Sequence, residues 1–333
     1  LLDGPLADVF GGVHLLPFFY PIDGADAGFD PVDHRRIDER LGTWEGLEAL
    51  SHDRDVAADL IVNHISAAST EFQNFLAEGE SSESARLFLL PGNVFRDGIE
   101  EADLRRIYRP RPRNPFTEFT FADGRQRLLW TTFSEDQIDI DVRSRKGRAY
   151  LSSILEKFAR HGVDLVRLDA VGYAVKTPGT SCFMTPGTFD FIEDLTREVH
   201  DLGMEVLVEI HSHFAAQVEI AKQVDWVYDF ALPPLILHAL RGGTAGELKR
   251  WFEISPRNAI TVLDTHDGIG VIDVGPSAPD DPQSGLLDAA SIDSLVEGIH
   301  EQSGGTSRAA TGAAADNLDL YQVNCTYFDA LGR

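Results

Sequence analysis

The sequence predicts an α/β fold with a parallel β-sheet, and three observations support it. Six short segments are almost entirely apolar, as expected of strands that are buried on both faces. Most of them follow a segment with helical periodicity, and strands that alternate with helices form parallel sheets. Polar residues stand at or soon after the ends of five of these strands, at the edge where parallel sheets carry their chemistry. The chain of 333 residues is long enough for one large barrel or for two domains.

The predicted elements follow one another regularly, with one interruption. Strands are predicted over residues 12–19, 56–63, 163–169, 204–210, 225–229 and 259–264. Helices are predicted over residues 44–52, 69–78, 147–161, 186–202, 214–223 and 245–252. Between about residues 82 and 140 prolines and glycines are frequent and no long helical pattern occurs. This stretch predicts an inserted subdomain of loops and short strands.

The composition argues against several classes of function. A net charge of −25 disfavours binding to nucleic acid and to anionic membranes. No apolar run reaches the length of a membrane span. The two cysteines, Cys182 and Cys325, have neither the spacing of metal ligands nor that of a disulfide framework, which fits a reducing compartment.

The strand predicted over residues 163–169 ends in two charged residues, Arg167 and Asp169. Side chains two residues apart on a strand point to the same face. Burying two such ions costs several kcal/mol each unless they are paired, so a structural ion pair is one interpretation. The other is a carboxylate that a neighbouring guanidinium keeps ionised, as a nucleophile requires.

Three strand ends supply carboxylates that suit double-displacement glycosyl transfer. Asp169 would attack the sugar, Glu209 would protonate the leaving group, and Asp267 would stabilise the positive charge that develops at the ring. Glu209 follows the apolar run 206–208, a setting that favours the protonated acid. The first two carboxylates must lie about 5 Å apart for a retaining reaction. The histidines near these strand ends, His64, His211 and His266, can each be structural, but as a set they suit sugar hydroxyls.

Four motifs lie at strand ends, and they are Asp59–His64, Val166–Val171, Leu207–His211 and Leu263–Asp267. They occur in the order found in the α-amylase clan of (β/α)8 barrels, which the chain resembles. The resemblance implies an incomplete (β/α)8 TIM barrel with an inserted small subdomain after the third barrel strand. We expect a first barrel segment at 1–80, the inserted subdomain at 81–140, a second barrel segment at 141–270 and a long loop subdomain on the catalytic face at 271–333. The clan's first strand is expected before this chain, and its eighth strand and C-terminal β-domain after it.

Five further stretches are more particular, and they are Asp23–Pro31, Tyr108–Pro112, Phe230–Pro234, Asp267–Asp273 and Ala315–Asn324. On these stretches the chain is similar to the sucrose phosphorylase family within the clan. The resemblance implies Asp169 as nucleophile, Glu209 as acid/base and Asp267 as transition-state stabiliser. It implies glucose contacts from Asp26, His64, Arg167 and His266, apolar walls from Phe29 and Phe133, and Tyr173 as a further substrate-binding residue. It implies an acceptor side lined by Arg111, His211, Leu318, Asp319, Tyr321 and Gln322.

The implied reaction is reversible, retaining phosphorolysis of sucrose to α-D-glucose 1-phosphate and fructose. Sucrose and inorganic phosphate are the expected small-molecule partners, without nucleic acid, membrane, metal or other cofactor. Asn63 occupies a position that serves calcium in some clan members, but no carboxylate cluster accompanies it in the insert. Use of phosphate predicts a cytoplasmic enzyme, and a homodimer is compatible with the sequence.

The residues 108–113 give phosphate independent support, because they place Arg109, Arg111 and Arg113 in a proline-rich loop. Planar guanidinium groups suit phosphate oxygens, although a solvated basic turn would look the same.

Three alternative functions stay open. The first is a phosphorylase of sucrose 6-phosphate, glucosylglycerol or glucosylglycerate, distinguished by Arg111 and residues 318–322. The others are a retaining α-glucosidase or transglucosylase, and a non-catalytic barrel that binds ligands.

Overall fold

The computed structural model describes residues 2–24, 26–111, 113–242, 244–277, 284–308 and 322–332. The chain forms two compact units, Leu1–Leu207 and Val208–Arg333, and the boundary falls within one strand. The strands are Gly12–Leu15, Phe19–Tyr20, Asp33–Ile37, Asp55–Ile61, His64–Ser66, Phe116–Thr120, Gln126–Trp130, Gln137–Asp139, Leu165–Asp169, Glu205–Val208, Trp226–Asp229, Ala259–Thr261, Ile269–Gly270 and Gln322–Val323. The α-helices are Trp44–Ser51, Thr70–Glu78, Pro91–Val94, Glu101–Arg106, Arg145–Arg160, Pro186–Asp201, Phe214–Ile220, Leu232–Gly242, Gly246–Ile254, Ala289–Gln302 and Tyr327–Leu331.

The first unit contains three parallel strands in the order Gly12–Leu15, Asp55–Ile61 and Leu165–Asp169. The middle strand is buried over nearly its whole length, which explains its almost continuous apolar sequence. The first strand ends sooner than predicted, because Pro17 lacks the N–H that a ladder needs. The parallel pairing predicted from the alternation of elements is therefore confirmed in this unit.

The helix Arg145–Arg160 shows how the first unit covers its sheet. The Ser144 hydroxyl accepts a 2.8 Å hydrogen bond from the backbone N–H of Gly147 and so caps the helix. One face then buries apolar side chains at helical spacing, which are Tyr150, Leu151, Ile154, Leu155 and Phe158. The observed helix begins two residues before the predicted one, at the cap that the apolar pattern alone does not mark.

The inserted stretch folds into short antiparallel strands and the short helices Pro91–Val94 and Glu101–Arg106, around a small core to which Cys182 from a later segment also contributes. Phe116–Thr120 pairs with Gln126–Trp130 in a hairpin, and His64–Ser66 pairs with Gln137–Asp139. The buried core side chains are Leu89, Phe95, Ile107, Phe116, Trp130 and Cys182. Loops and short strands are what the prolines and glycines of this stretch predict.

The second unit pairs Trp226–Asp229 in parallel with Ala259–Thr261. Its buried core includes Trp251, whose Nε1 donates a 2.9 Å hydrogen bond to Oδ1 of Asp229. Three described helices of this unit, Leu232–Gly242, Ala289–Gln302 and Tyr327–Leu331, are absent from the sequence prediction. The first starts with Leu-Pro-Pro, and prolines fit the first turn of a helix although they discourage a helical interpretation. Among the described residues, no helix has the length and hydrophobicity needed to span a membrane.

Candidate active site

The first cluster of candidate residues lies on the strands Asp55–Ile61 and Leu165–Asp169. These strands pair with Asp59 opposite Arg167, so both side chains leave the same face of the sheet. The buried Arg167 guanidinium donates from Nη1 to a carboxylate oxygen of Asp59 and to Oδ1 of Asp169, the latter at 3.0 Å. The adjacent cation favours the ionised form of Asp169.

Asp59 is a residue of this cluster that the sequence alone does not reveal. It is fully buried, and it also accepts a 2.9 Å hydrogen bond from Nε2 of His14. Burial by itself would raise the pKa of Asp59, but the charge of Arg167 and the hydrogen bond from His14 outweigh burial and lower that pKa. The ionised Asp59 fixes the guanidinium of Arg167, which in turn contacts Asp169.

The backbone turns sharply after Asp169. Ala170 has a φ of 53°, in the left-handed region that residues other than glycine seldom occupy. A single turn of 3₁₀-helix, Val171–Tyr173, follows at once. Conformations of this kind are often found at functional sites, where the surrounding structure holds them in place.

His64 is the centre of a second group of predicted residues in the first unit. Its Nε2 lies 2.9 Å from the carbonyl oxygen of Phe29 and 3.1 Å from Nε2 of Gln137. Gln137 in turn donates a 2.8 Å hydrogen bond to Oδ2 of Asp26. Burial lowers the pKa of His64, so the ring is neutral near pH 7 and one ring nitrogen is available as an acceptor. The ring of Phe29 lies 5.7 Å from the guanidinium carbon of Arg167, which joins the two groups.

Arg111 lies beside the same group. Its Nη2 is 3.7 Å from Oδ1 of Asp26, which is too long for a hydrogen bond but within range of an ion pair. Its Nε is buried and has no hydrogen-bond partner among the described residues. A guanidinium with an unused buried N–H is suited to an incoming oxyanion.

Aromatic rings form a wall next to His64. Phe133 lies 5.1 Å from the His64 ring and 5.0 Å from the ring of Tyr173, measured between centroids. Tyr173 also contacts Phe183 at 4.6 Å and Tyr108 at 6.1 Å. The structure therefore brings Phe133 and Tyr173 together with His64.

Lys176 is a buried cation that sequence reasoning missed. Its Nζ lies 2.7 Å from Oδ2 of Asp139, 2.9 Å from Oγ1 of Thr132 and 3.1 Å from Oδ1 of Asn63. A fixed ammonium group at Asn63 disfavours a second cation there through charge repulsion. The one available signal is its rarity, because the chain has only five lysines.

Replacing Lys176 with methionine is expected to lower the free energy of unfolding by about 3 to 5 kcal/mol, because the carboxylate of Asp139 would stay buried without its partner. Urea unfolding of the intact protein measures this change. Lys222→Met is the matched control, since Lys222 pairs with Glu219 on an exposed surface. Equal unfolding midpoints for the two variants would contradict the structural role of Lys176.

The second unit holds a separate cluster around His211. Its Nδ1 lies 3.2 Å from Oδ2 of Asp273, and its Nε2 lies 3.5 Å from Oε1 of Glu209. Glu209 therefore ends beside a charged partner rather than in the apolar setting that the preceding residues predict. Oδ2 of Asp267 lies 3.4 Å from Nε2 of His266.

The His211 ring carries a positive charge at neutral pH. Burial alone would lower its pKa, but the carboxylates of Asp273, Glu209 and Asp267 outweigh burial and raise the pKa to about 9. The ring also stacks on Phe230, with centroids 3.9 Å apart and planes inclined by 19°. Phe230 belongs to one of the stretches that carry the family resemblance.

The donor atoms of Glu209, His211 and Asp267 all lie within 4.8 Å of one another, a spacing that a metal ion could use. We assign no metal to them, because the sequence motifs that contain these residues suit sugar chemistry.

Gly268 follows Asp267 with a φ of 95°, and a Cβ there would lie 2.2 Å from the carbonyl oxygen of Val323. Glycine therefore permits the tight turn after Asp267.

The predicted acceptor residues Leu318, Asp319 and Tyr321 lie outside the described residues. Gln322 is described and is buried on a short strand, where it pairs with Gly270. Each unit thus brings its own predicted residues together, with Asp26, Phe29, His64, Arg111, Phe133, Arg167, Asp169 and Tyr173 in the first and Glu209, His211, His266 and Asp267 in the second.

Comparisons with known proteins identify the family. Residues 9–185 match the model of the alpha amylase catalytic domain. A sucrose phosphorylase of Agrobacterium vitis is 60% identical over 333 residues, which cover 100% of this chain and 68% of the relative. The chain belongs to the sucrose phosphorylase family. A sucrose phosphorylase of Bifidobacterium adolescentis is 55% identical over 324 residues, covering 97% of this chain and 64% of the relative.

The crystal structure of sucrose 6F-phosphate phosphorylase from Thermoanaerobacter thermosaccharolyticum superposes with a TM-score of 0.87 at 35% identity. The match covers 99% of this chain and 66% of that structure. The chain thus spans about two thirds of the length of the relatives it matches. Membership of the sucrose phosphorylase family confirms the predicted fold class, an incomplete (β/α)8 barrel, and the predicted class of enzyme, a glycosyl-transferring phosphorylase.

Proposed function

We propose that the whole protein catalyses the reversible phosphorolysis of sucrose to α-D-glucose 1-phosphate and fructose with retention of configuration. The observation that carries this proposal is the ion pair between Asp169 and the buried Arg167, whose atoms lie 3.0 Å apart. A carboxylate that is kept ionised at the carboxyl end of a barrel strand is the nucleophile that a retaining mechanism needs.

The proposed reaction has two displacements. Glu209 protonates the glycosidic oxygen while Asp169 attacks the glucosyl carbon, so the bond to fructose breaks and a glucosyl ester of Asp169 forms. Fructose leaves, and an oxygen of hydrogen phosphate then attacks the same carbon and releases the Asp169 carboxylate, while the proton of the phosphate returns to Glu209. Asp267 stabilises the positive charge at the ring in both transition states. The two inversions give net retention, and the reaction needs neither a metal nor another cofactor.

The glucose site is assigned to the first cluster. His64 is neutral, and its Nδ1 is buried and has no hydrogen-bond partner among the described residues, which suits a sugar hydroxyl. Asp26 can accept from a second hydroxyl, and the rings of Phe29 and Phe133 suit the apolar face of the sugar. The same proposal places His266 next to Asp267 on the glucose side.

Arg111 and His211 are each proposed as acceptor ligands, because a phosphate dianion in a chain of net charge −25 needs local cations. Arg111→Ala should raise the KM for phosphate by about tenfold or more, since a charge-assisted hydrogen bond contributes about 1.5 to 3 kcal/mol. The KM for sucrose should change much less. Initial rates with each substrate varied in turn measure both constants.

Arg113→Ala is the matched control for this prediction. Arg113 belongs to the same loop, and its Nη2 donates a 3.3 Å hydrogen bond to Oγ1 of Thr117. It should leave both constants close to those of the parent protein. An equal rise in both constants for Arg111→Ala would rule out its role as a phosphate ligand.

Incubation of the intact protein with sucrose and phosphate tests the proposal as a whole. Formation of α-D-glucose 1-phosphate supports it, whereas release of glucose at a rate that does not depend on phosphate indicates a glucosidase or transglucosylase. Parallel assays with sucrose 6-phosphate, glucosylglycerol and glucosylglycerate separate the related phosphorylases, which share the glucose site and differ in the acceptor. The use of inorganic phosphate as co-substrate supports a place in the cytoplasm.

A further inference from the structure

Asp273 is a fully buried carboxylate that the proposed reaction does not use. Its Oδ1 accepts from the backbone N–H of Ser212 at 3.3 Å and from Nε2 of Gln217 at 2.5 Å. Its Oδ2 lies 3.2 Å from Nδ1 of His211. Two donors therefore hold one carboxylate oxygen in place while the other oxygen is directed at the His211 ring.

Gly270 allows this close approach. A Cβ at Gly270 would lie 2.4 Å from Oδ2 of Asp273 and 3.2 Å from Nδ1 of His211, so a larger residue would push the two groups apart. Phe230 covers the face of the His211 ring. The ring is thus fixed by a carboxylate at one nitrogen and by an aromatic plane on one side.

The opposite nitrogen of the ring has a different environment. Nε2 of His211 is buried and has no hydrogen-bond partner among the described residues, and Oε1 of Glu209 lies 3.5 Å from it. A buried N–H without an acceptor costs about 1 to 3 kcal/mol, so this donor is suited to an oxygen that a ligand brings. That oxygen would lie next to Glu209, where the leaving group departs and the acceptor enters.

We propose that Asp273 is a positioning residue that holds His211 as a cationic donor for the attacking phosphate. A neutral imidazole could serve a fructose hydroxyl equally well, but a cation selects an anionic oxygen over water and over sugar hydroxyls. Asp273 thereby favours phosphorolysis over hydrolysis. This inference rests on the proposed function, because it assigns a cause to the preference for phosphate within the same site.

The electrostatic environment of His211 supports the proposal. The charged groups with the largest effects on the ring are Asp273, Glu209 and Asp267, all of them acidic. Together they raise the pKa of His211 to about 9, so the ring stays charged over the range in which phosphate is largely a dianion. Asp273 is the largest contributor after burial, and it makes the shortest contact.

Asp273→Asn in the intact protein tests the inference, because it keeps the shape of the side chain and removes its charge. The KM for phosphate should rise by about tenfold, and the ratio of hydrolysis to phosphorolysis at a fixed phosphate concentration should rise by a similar factor. The KM for sucrose should change by less than about threefold, a split that a general loss of structure would not produce.

Asp229→Asn is the matched control. Asp229 is also a buried carboxylate of the second unit, but it accepts from Trp251 and from the backbone N–H of Leu232 rather than from His211. It should leave the ratio of the two KM values unchanged. If the parent protein is active and Asp273→Asn shifts both constants equally or neither, the inference is wrong although the proposed function stands. If the parent protein forms no α-D-glucose 1-phosphate, both are wrong.

A measurement on the parent protein does not depend on whether the Asp273 variant folds. Selective ¹⁵N labelling of histidine reports the protonation of both ring nitrogens by NMR, and His211→Gln identifies the signal. His211 is expected to stay doubly protonated up to pH 8. A ring that loses its proton near pH 6.5, as an unperturbed histidine does, would overturn the assignment.

Discussion

Asp169→Asn is expected to lower kcat for sucrose phosphorolysis by about four orders of magnitude, because the amide can neither attack the glucosyl carbon nor leave as a carboxylate. The loss should be the same with α-glucosyl fluoride as with sucrose, since both substrates need the nucleophile. The loss of kcat is measured from the initial rates of fructose and fluoride release, with the variant and the parent protein at the same enzyme concentration.

The residue just before this strand supplies the control for this prediction. Asp164 stands just before the strand Leu165–Asp169, at its opposite end, where Oδ2 accepts a 2.8 Å hydrogen bond from the backbone N–H of Val56. Asp164→Asn should leave kcat within about threefold of the parent value, because this end of a barrel strand serves stability rather than catalysis. A loss of similar size in both variants would mean that Asp169 acts through the fold and not through the chemistry.

The position of Asp169 can be predicted from the sequence because its signal is local. Arg167 and Asp169 stand two residues apart at the end of an apolar run, and the period of a strand alone places them on one face. The structure joins them at 3.0 Å. Glu209 and His211 follow the same rule at the end of another strand, where their side chains approach to 3.5 Å.

The residues that support these side chains could not be predicted, because their contacts join distant segments of the chain. Asp59 and Arg167 are 108 residues apart, and only the register of two parallel strands brings them together. His211 and Asp273 are 62 residues apart, and their contact depends on the absence of a side chain at Gly270. Periodicity reveals which face a residue occupies, but it does not reveal which partner a packed fold places there.

The same distinction explains the errors in the predicted elements. The helix Leu232–Gly242 has prolines in its first turn, and only the tertiary context shows that the helix continues beyond them. The neighbours of Glu209 in sequence indicate an apolar setting, whereas its neighbour in space is the charged ring of His211. The local sequence pattern therefore predicts correctly that Glu209 lies at a strand end, but it does not predict the charged neighbour of its carboxylate.

The sharpest test of Glu209 is a comparison of two leaving groups. Glu209→Gln should lower kcat for sucrose by about 10² to 10⁴-fold, the usual contribution of a general acid. The kcat for α-glucosyl fluoride should fall by less than about tenfold, because fluoride leaves without a proton. Phosphate attacks as an oxyanion and needs little help from a base, so the second displacement should also continue in this variant.

The comparison distinguishes the role of Glu209 from that of Asp169, because replacing Asp169 should lower kcat equally for sucrose and for α-glucosyl fluoride. Glu205→Gln is the control, because Glu205 begins the strand Glu205–Val208 and lies at the end away from Glu209. It should leave both rates near those of the parent protein. If Glu209→Gln slowed sucrose and α-glucosyl fluoride by the same factor, Glu209 would not be the proton donor, and another group would have to protonate the departing fructose. A selective loss with sucrose would assign the proton to Glu209, with Asp169 as the group that holds the sugar between the two displacements.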